Sequence, residues 1–315
     1  SIGYGNGYEV SYMNSGKMTN KGWEFRVDAV PFENRDWRVG FYFNIAHNEN
    51  KITEMPDNYT EENYTFNNGE YAYRREEGRP MGSFYGYRYK GVCQNKDATY
   101  ARDADGNVMK DISGNAIVMR NGTATIAPGD ALYEDINHDG VINQYDIVYL
   151  GNSNPRFTGG AGVNVSYKQF KLSAIFYGRY GQDVVNSTRL NNESMRGIDN
   201  QSTAVLRRWR NEGDQTDIPR ALYGEGYNTL GSDRFVEDAS YLRLKSLSFN
   251  YRLPKKIIQR WGFSNIDVYV TGYNLFTWTK YTGQDPEVKT ENTYARDSAT
   301  TPASIQLVAG FNLSF

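Results

Sequence analysis

The residues best suited to chemistry lie in one run, DINHDGVINQYD, at positions 135–146. Asp135, Asn137, Asp139 and Asn143 stand at the first, third, fifth and ninth places of a calcium-type loop. Gly140 falls at its sharp turn, Val141 offers a main-chain carbonyl, and Asp146 fills the twelfth place. Calcium gathers about six to eight oxygens at roughly 2.3–2.6 Å, and this spacing wraps oxygens around one point. Asp146 stands where an EF-hand carries Glu, and no good entering helix precedes the run. The pattern therefore suits a structural clip for a long loop and not a sensor. Its alternative is an Asx-rich turn whose side chains bond their own backbone. A second run, DADGN at 103–107, is truncated and reads as a turn.

Other chemistry has little to be built from. The two histidines, His47 and His138, and the single cysteine, Cys93, leave zinc sites, His-based triads and disulfide frameworks without parts. No GxSxG elbow or Walker loop occurs. Glu76 and Glu77 read as solvated loop charges, since a glycosidase needs two carboxylates fixed across a cleft. An enzyme is not expected. Lys and Arg number 35 against 37 Asp and Glu, a net charge of -2, which offers no global attraction to nucleic acid.

Only 39% of the 315 residues are hydrophobic, and the mean hydropathy is -0.71. Aromatics nevertheless reach 15%, with 26 Tyr and 31 Gly. Tyrosine suits boundaries where one end of the ring is apolar and the other wet. The sequence shows neither a signal peptide nor an apolar run of about 18 residues. A β-barrel stays open, because its strands cross in about 9–11 residues and hide their apolarity in alternation.

That alternation recurs along the chain. WEFRVDAVPFE sets Trp23, Phe25, Val27 and Ala29 against Glu24, Arg26 and Asp28. After the turn Asn34-Arg35-Asp36, Trp37, Val39, Phe41, Phe43 and Ile45 oppose Arg38, Gly40, Tyr42 and Asn44. A second hairpin spans Phe157 to Gly181, turning near Lys168 and Gln169. SYLRLKSLSFNYRLP and NIDVYVTGYNLFTW add strands separated by Pro254 to Ser264, and IQLVAGFNLSF closes the series with odd apolar positions from Ile305 to Phe315.

Between these strands, residues 49–81, 92–156, 181–239 and 277–303 are long, polar and rich in Asn, Asp, Gly, Thr and Tyr. They far exceed the usual connection of about 4–6 residues, but an outer-membrane barrel alternates short periplasmic turns with long external loops. One loop carries a helical candidate, Thr203 to Gly213, built on Val205, Leu206 and Trp209. For the turn at 34–36 to lie on the same side as the other short turns, the region 82–156 must contain an even number of crossings. One crossing is expected at Phe84 to Val92, and a second near Thr123 to Ile126 or Tyr145 to Leu150.

Taken together, these segments resemble the C-terminal part of a SusC/RagA-type TonB-dependent transporter of the outer membrane of Bacteroidetes. The resemblance is carried by NKGWEF at 20–25, GRPMGSFYGYRYKGV at 78–92, YEDINHDGVINQYDIVYLGNSNPRFTGG at 133–160 and RRWRNEGDQTDIPR at 207–220. FVEDASYLRLKSLSFNYRLP at 235–254, VTGYNLFTWTKYTGQDPE at 270–287 and the terminal strand complete it.

The resemblance implies an all-β fold, the C-terminal portion of an antiparallel transmembrane barrel of about 22 strands with long extracellular loops. Roughly eight strands are recognisable here and one or two more are expected, with the plug domain and N-terminal strands lying upstream. It further implies a multi-pass protein of the cell outer membrane, with a SusD-like surface lipoprotein, TonB and the barrel-assembly machinery as partners. Glycans or oligopeptides would be its cargo. Tyr42, Tyr177 and Arg179 would face lumen or plug, Trp209, Tyr223 and Tyr227 would be ligand or lipoprotein contacts, and Phe311, Leu313 and Phe315 would carry the assembly signal. A rival from another class is a secreted or surface carbohydrate-binding β-sandwich clipped by the calcium loop, with its apolar faces turned inward.

Overall fold

The computed structural model describes residues 16–56, 62–288, 290–291 and 294–315. Its largest element is a 7-stranded antiparallel sheet. The wall strands are β1 (Lys17–Glu33), β2 (Trp37–Glu54), β3 (Phe157–Tyr167), β4 (Phe170–Tyr180), β5 (Tyr241–Arg252), β6 (Asn265–Thr279) and β7 (Gln306–Ser314). Each pairs with its neighbour in chain order, including β2 with β3 across the long insertion. The expected crossings between residues 82 and 156 do not occur. Their number is zero, which keeps the parity even and places all the short connections at one end.

The apolar face is continuous across the strands because the ladder aligns their alternations. Val39, Val165 and Leu172 are cross-strand partners, as are Phe43, Ala161 and Phe176. One row of that face runs Trp23, His47, Phe157 and Tyr180, with ring centroids 6.0, 5.1 and 6.4 Å apart in succession. A second row runs Trp37, Tyr167, Phe170 and Tyr251, where Trp37 and Tyr167 lie 4.3 Å apart and Phe170 and Tyr251 4.7 Å. The rows are about ten residues apart along β2, or about 33 Å at ~3.3 Å per residue. A tilt of about 40° brings that to roughly 25 Å, the height of a barrel's apolar band between its aromatic girdles. No second sheet covers this face among the described residues: Phe25 is 53% exposed, Leu172 43% and Phe249 46%. That overturns the sandwich reading.

Two irregularities shape the wall. A bulge between Ala29 and Phe32 takes up Val30 and Pro31, where a missing N–H is tolerated. Another, at Leu244 to Ser246, faces Asn274, whose φ of 52 turns β6 so that Leu275 packs across Gly272.

The buried core lies outside the wall. The long segments pack into a cap whose core gathers distant residues: Tyr71, Phe84, Val185, Leu190, Phe235 and Tyr294 form one cluster. Tyr87, Met119, Ile126, Tyr133, Ile142 and Leu230 belong to another. The expected crossing at 84–92 is instead a pair of short cap strands, Ser83–Gly86 and Tyr89–Val92. Of its expected companions, Val148–Asn152 pairs with Ser83–Gly86, and Ala124–Thr125 pairs with Arg120–Asn121. These segments are too short to cross a bilayer and pair within the cap, where Ser83–Gly86 is buried on both faces.

Candidate functional site

The polar face of the wall opposes the girdled one and is where a barrel's lumen lies. Tyr42 sits on it half-buried, its ring laid over Gly162, where an added Cβ would come within 2.0 Å of Cε1. Glycine at that cross-strand position is what lets the ring lie flat against the sheet. Nearby, Ser173 Oγ donates to Asn164 Oδ1 at 2.7 Å, and the hydroxyls of Ser248 and Thr271 meet at 2.8 Å. Toward the cap, Arg179 Nε donates to the Tyr177 hydroxyl at 3.2 Å. Tyr42, Tyr177 and Arg179 thus share the polar face, each already engaged by a neighbour.

A stronger feature of this face was not evident from the sequence. The Arg243 side chain, 3% exposed, donates to Thr277 Oγ1 at 2.8 Å, Glu287 Oε2 at 2.9 Å and Asp285 Oδ1 at 2.5 Å. Lys245 reaches the same Glu287 oxygen at 2.8 Å. The segment after β6 is thereby pinned against the polar face of β5. The signal was present as two cations in a strand and the acids of Asp285-Pro286-Glu287, but nothing in the spacing joined them.

The cap holds further ion clusters. Arg189 pairs with Glu193 at 3.0 Å and Glu237 at 3.2 Å, while Arg234, 4% exposed, pairs with Glu193 at 2.8 Å. The Arg234 guanidinium also lies 4.8 Å from the Phe235 ring centroid, close enough for a cation–π contact. Arg220 grips Asp130 through two bonds of 2.7 and 3.1 Å, the bidentate form that adds geometric specificity. Cys93 is buried, and that burial, followed by the Asp130 charge, pushes its thiol up to about 11. It is a poor nucleophile.

The expected helix at 203–213 is only a 3-10 turn, Thr203–Arg207, because Trp209 is claimed elsewhere. Its N–H bonds Ile218 O at 2.9 Å, and its ring covers Gly129, where a Cβ would meet Cε3 at 2.3 Å. A helix not foreseen, α1 (Ser187–Asn192), forms nearby, capped by Asn186 Oδ1 accepting from Arg189 N–H. Tyr227 packs edge-on against Phe66 at 4.7 Å and belongs to the cap's interior packing. Of the three cap aromatics singled out by sequence, Tyr223 alone is widely exposed, at 75%.

In the 135–146 loop, Asp135 accepts from the N–H groups of Asp139 and Gly140, Asn137 Oδ1 accepts from Asp139 N–H, and Asp139 accepts from Val141 N–H. The buried Asp146 accepts from Ile136 and Asn143 N–H, both at 2.8 Å, and Asn143 Oδ1 caps Tyr145 N–H. Burial, opposed by those bonds and reinforced by the charges of Asp135 and Asp139, raises the Asp146 carboxyl above its usual range. Among the described residues no three His, Cys, Asp or Glu side chains converge as a metal cage. The run at 103–107 is a turn, as expected, and a twin follows it: Asp103 and Asp111 each accept from the N–H groups two and four residues on.

At the other end of the molecule, Phe311, Leu313 and Phe315 lie along the girdled face, 67%, 42% and 91% exposed. The Phe315 ring is 5.2 Å from Phe263.

A sheet greasy on one face between aromatic girdles, polar on the other, with short turns below and a packed cap above, defines a wall segment of the outer-membrane β-barrel class. No protein-family model matches the chain. It is 32% identical over 296 residues, 91% of its own length, to TonB-dependent receptor P3 of Formosa agariphila, and 25% identical to TonB-dependent receptor SusC of Bacteroides thetaiotaomicron over 96% of its length. All of it superposes on the RagAB peptide importer in the closed-closed state, with a TM-score of 0.71 and 25% identity. The chain spans 27% of the two relatives and 31% of that importer chain. It belongs to the SusC/RagA-type TonB-dependent receptors, corresponding to their C-terminal part.

Proposed function

We infer that this chain is part of the wall and the extracellular cap of an active importer of oligomeric nutrients, glycans or oligopeptides. In this reading the importer is energised through TonB and works with a SusD-like surface lipoprotein. The observation that carries it is the girdled apolar face, which needs lipid as its partner, backed on the same sheet by a polar face suited to a lumen. The relatives are named receptors and importers, which supports transport over catalysis. Plug, remaining strands and TonB contact belong to the rest of the receptor, and the exposed aromatics of β7 suit recognition by the assembly machinery. The test is purification of the whole receptor from outer membranes in mild detergent, followed by native mass spectrometry. A lipoprotein and an oligomeric ligand should travel with it. A receptor that purifies alone, and whose deletion leaves growth on every glycan and peptide unchanged, would defeat the proposal.

Within that importer, the 135–146 loop would hold calcium as a structural clip. Support comes from the ligand spacing and from the buried Asp146, whose nearest charges, Asp135 and Asp139, are of its own sign. Each oxygen that accepts one N–H keeps a further lone pair for a cation. The carbonyl of Val141 and the side chains of Asn137 and Asn143 complete the oxygen set. Calcium there would offset the charges of Asp135, Asp139 and Asp146 and tie the bend at Gly140 to the strand that follows.

A further inference from the structure

The connections at the short-turn end are unequal. Two are tight, at residues 34–36 and 168–169, whereas the third, residues 253–264, folds into helix α2 (Lys255–Ile258) and a 3-10 turn, Gln259–Trp261. So short a helix does not stand alone in water. It is held by Gly262 in the left-handed region, by Phe263 N–H bonding Ile258 O at 3.2 Å, and by burial of Ile258 at 0% exposure. Ile266, on the girdled face, is 8% exposed, whereas Val268 and Val270 further along that face are 43% and 49% exposed. The turn therefore folds back over the lipid side of β6's foot.

Its outward composition is specific. LPKKIIQRWGFS contains Lys255, Lys256 and Arg260 and no acid. All three cations are exposed, and no ion pair engages them among the described residues. Ile257 and Trp261 stand beside them, 46% and 61% exposed, next to the girdle ring pair Phe263 and Phe315. Cations and a Trp at the edge of an apolar band form the composition of a segment lying in a bilayer interface.

We propose that the 253–264 turn is an interfacial foot that binds anionic phospholipid headgroups in the leaflet at the short-turn end, through Lys255, Lys256 and Arg260, with Ile257 and Trp261 inserted beneath them. The proposal rests on the reading that the wall spans a bilayer. Charge complementarity and continuity with the lipid-facing wall select lipid as the occupant over a protein partner.

The test uses the full-length receptor in phosphatidylcholine nanodiscs with and without phosphatidylglycerol, with lipids retained after detergent release counted by native mass spectrometry. Wild type should retain phosphatidylglycerol selectively. The K255Q/K256Q/R260Q variant should retain at least about tenfold less, at roughly fivefold per cation, and K255R/K256R should keep the wild-type value. Equal retention by wild type and the triple variant, or no preference over phosphatidylcholine, overturns the foot while leaving the wall intact. A receptor that does not enter nanodiscs at all overturns both readings.

Discussion

Arg243 and Asp285, 42 residues apart in the chain, are joined at 2.5 Å on the polar face of β5, with Glu287 on the other arm of the same guanidinium. Removing that cation leaves Asp285 without its counter-charge and Glu287 with Lys245 alone. Arg243→Met is expected to weaken docking of the 280–303 segment by about 3–5 kcal/mol. Hydrogen exchange on the whole receptor in detergent should show faster exchange there, with β1 to β4 unchanged.

The same contact sets a pH response. Burial raises the Asp285 carboxyl, but Ala303 N–H and the Arg243 guanidinium outweigh it and hold the group below its ordinary 3.8. A carboxyl depressed on folding adds stability above its unfolded pKa and loses it as pH falls through the folded one. Protection of residues 280–303 should therefore hold at pH values above about 4 and fade below, an acid response that Arg243→Met should blunt.

Val163 and Asn164 are adjacent in β3 near the middle of the girdled band, and they point to opposite sides of the wall. Val163→Arg should cost roughly 2–4 kcal/mol of folding stability in lipid, while Asn164→Arg costs little. Urea titration of the receptor in vesicles distinguishes them, and equal costs would contradict the assignment of faces.

Gly129 has a φ of 91 and lies against Trp209. Gly129→Ala meets both the strained backbone and the ring, and should destabilise the cap by about 1–3 kcal/mol. Trp209 fluorescence should shift to longer wavelength as the indole leaves its seat, read against a Trp209→Phe control.

For the calcium clip, chelation should lower the melting temperature of the detergent-solubilised receptor and added calcium should restore it. Asp135→Ala with Asp139→Ala should abolish the calcium response. A wild-type melting temperature indifferent to calcium would reduce the loop to a self-bonded turn.

How much of this was legible beforehand can be judged from particular residues. The facing sets at Trp37 to Ile45, Val163 to Tyr167 and Leu307 to Phe315 were readable, because the two-residue period of an extended chain is local. Seven wall strands were found where roughly eight, and one or two more beyond them, were expected. The excess came from Phe84 to Val92, which alternates convincingly but packs in the cap, and from the companion crossing expected near Thr123 to Ile126 or Tyr145 to Leu150. The helix expected at Trp209 failed for a similar reason: a distant glycine offered the indole a better seat than a helical face did.

By itself the sequence determined that strands would be two-sided and that the SusC/RagA-type pattern ran through nearly the whole chain. Only the tertiary structure decided that residues 82–156 contribute no crossing, that the long polar segments share a buried core, and that Arg243 clasps Asp285 and Glu287. The division is physical. Alternation is written into neighbouring residues, whereas strand partners, cap cores and buried ion pairs join residues whose separation carries no periodic signal.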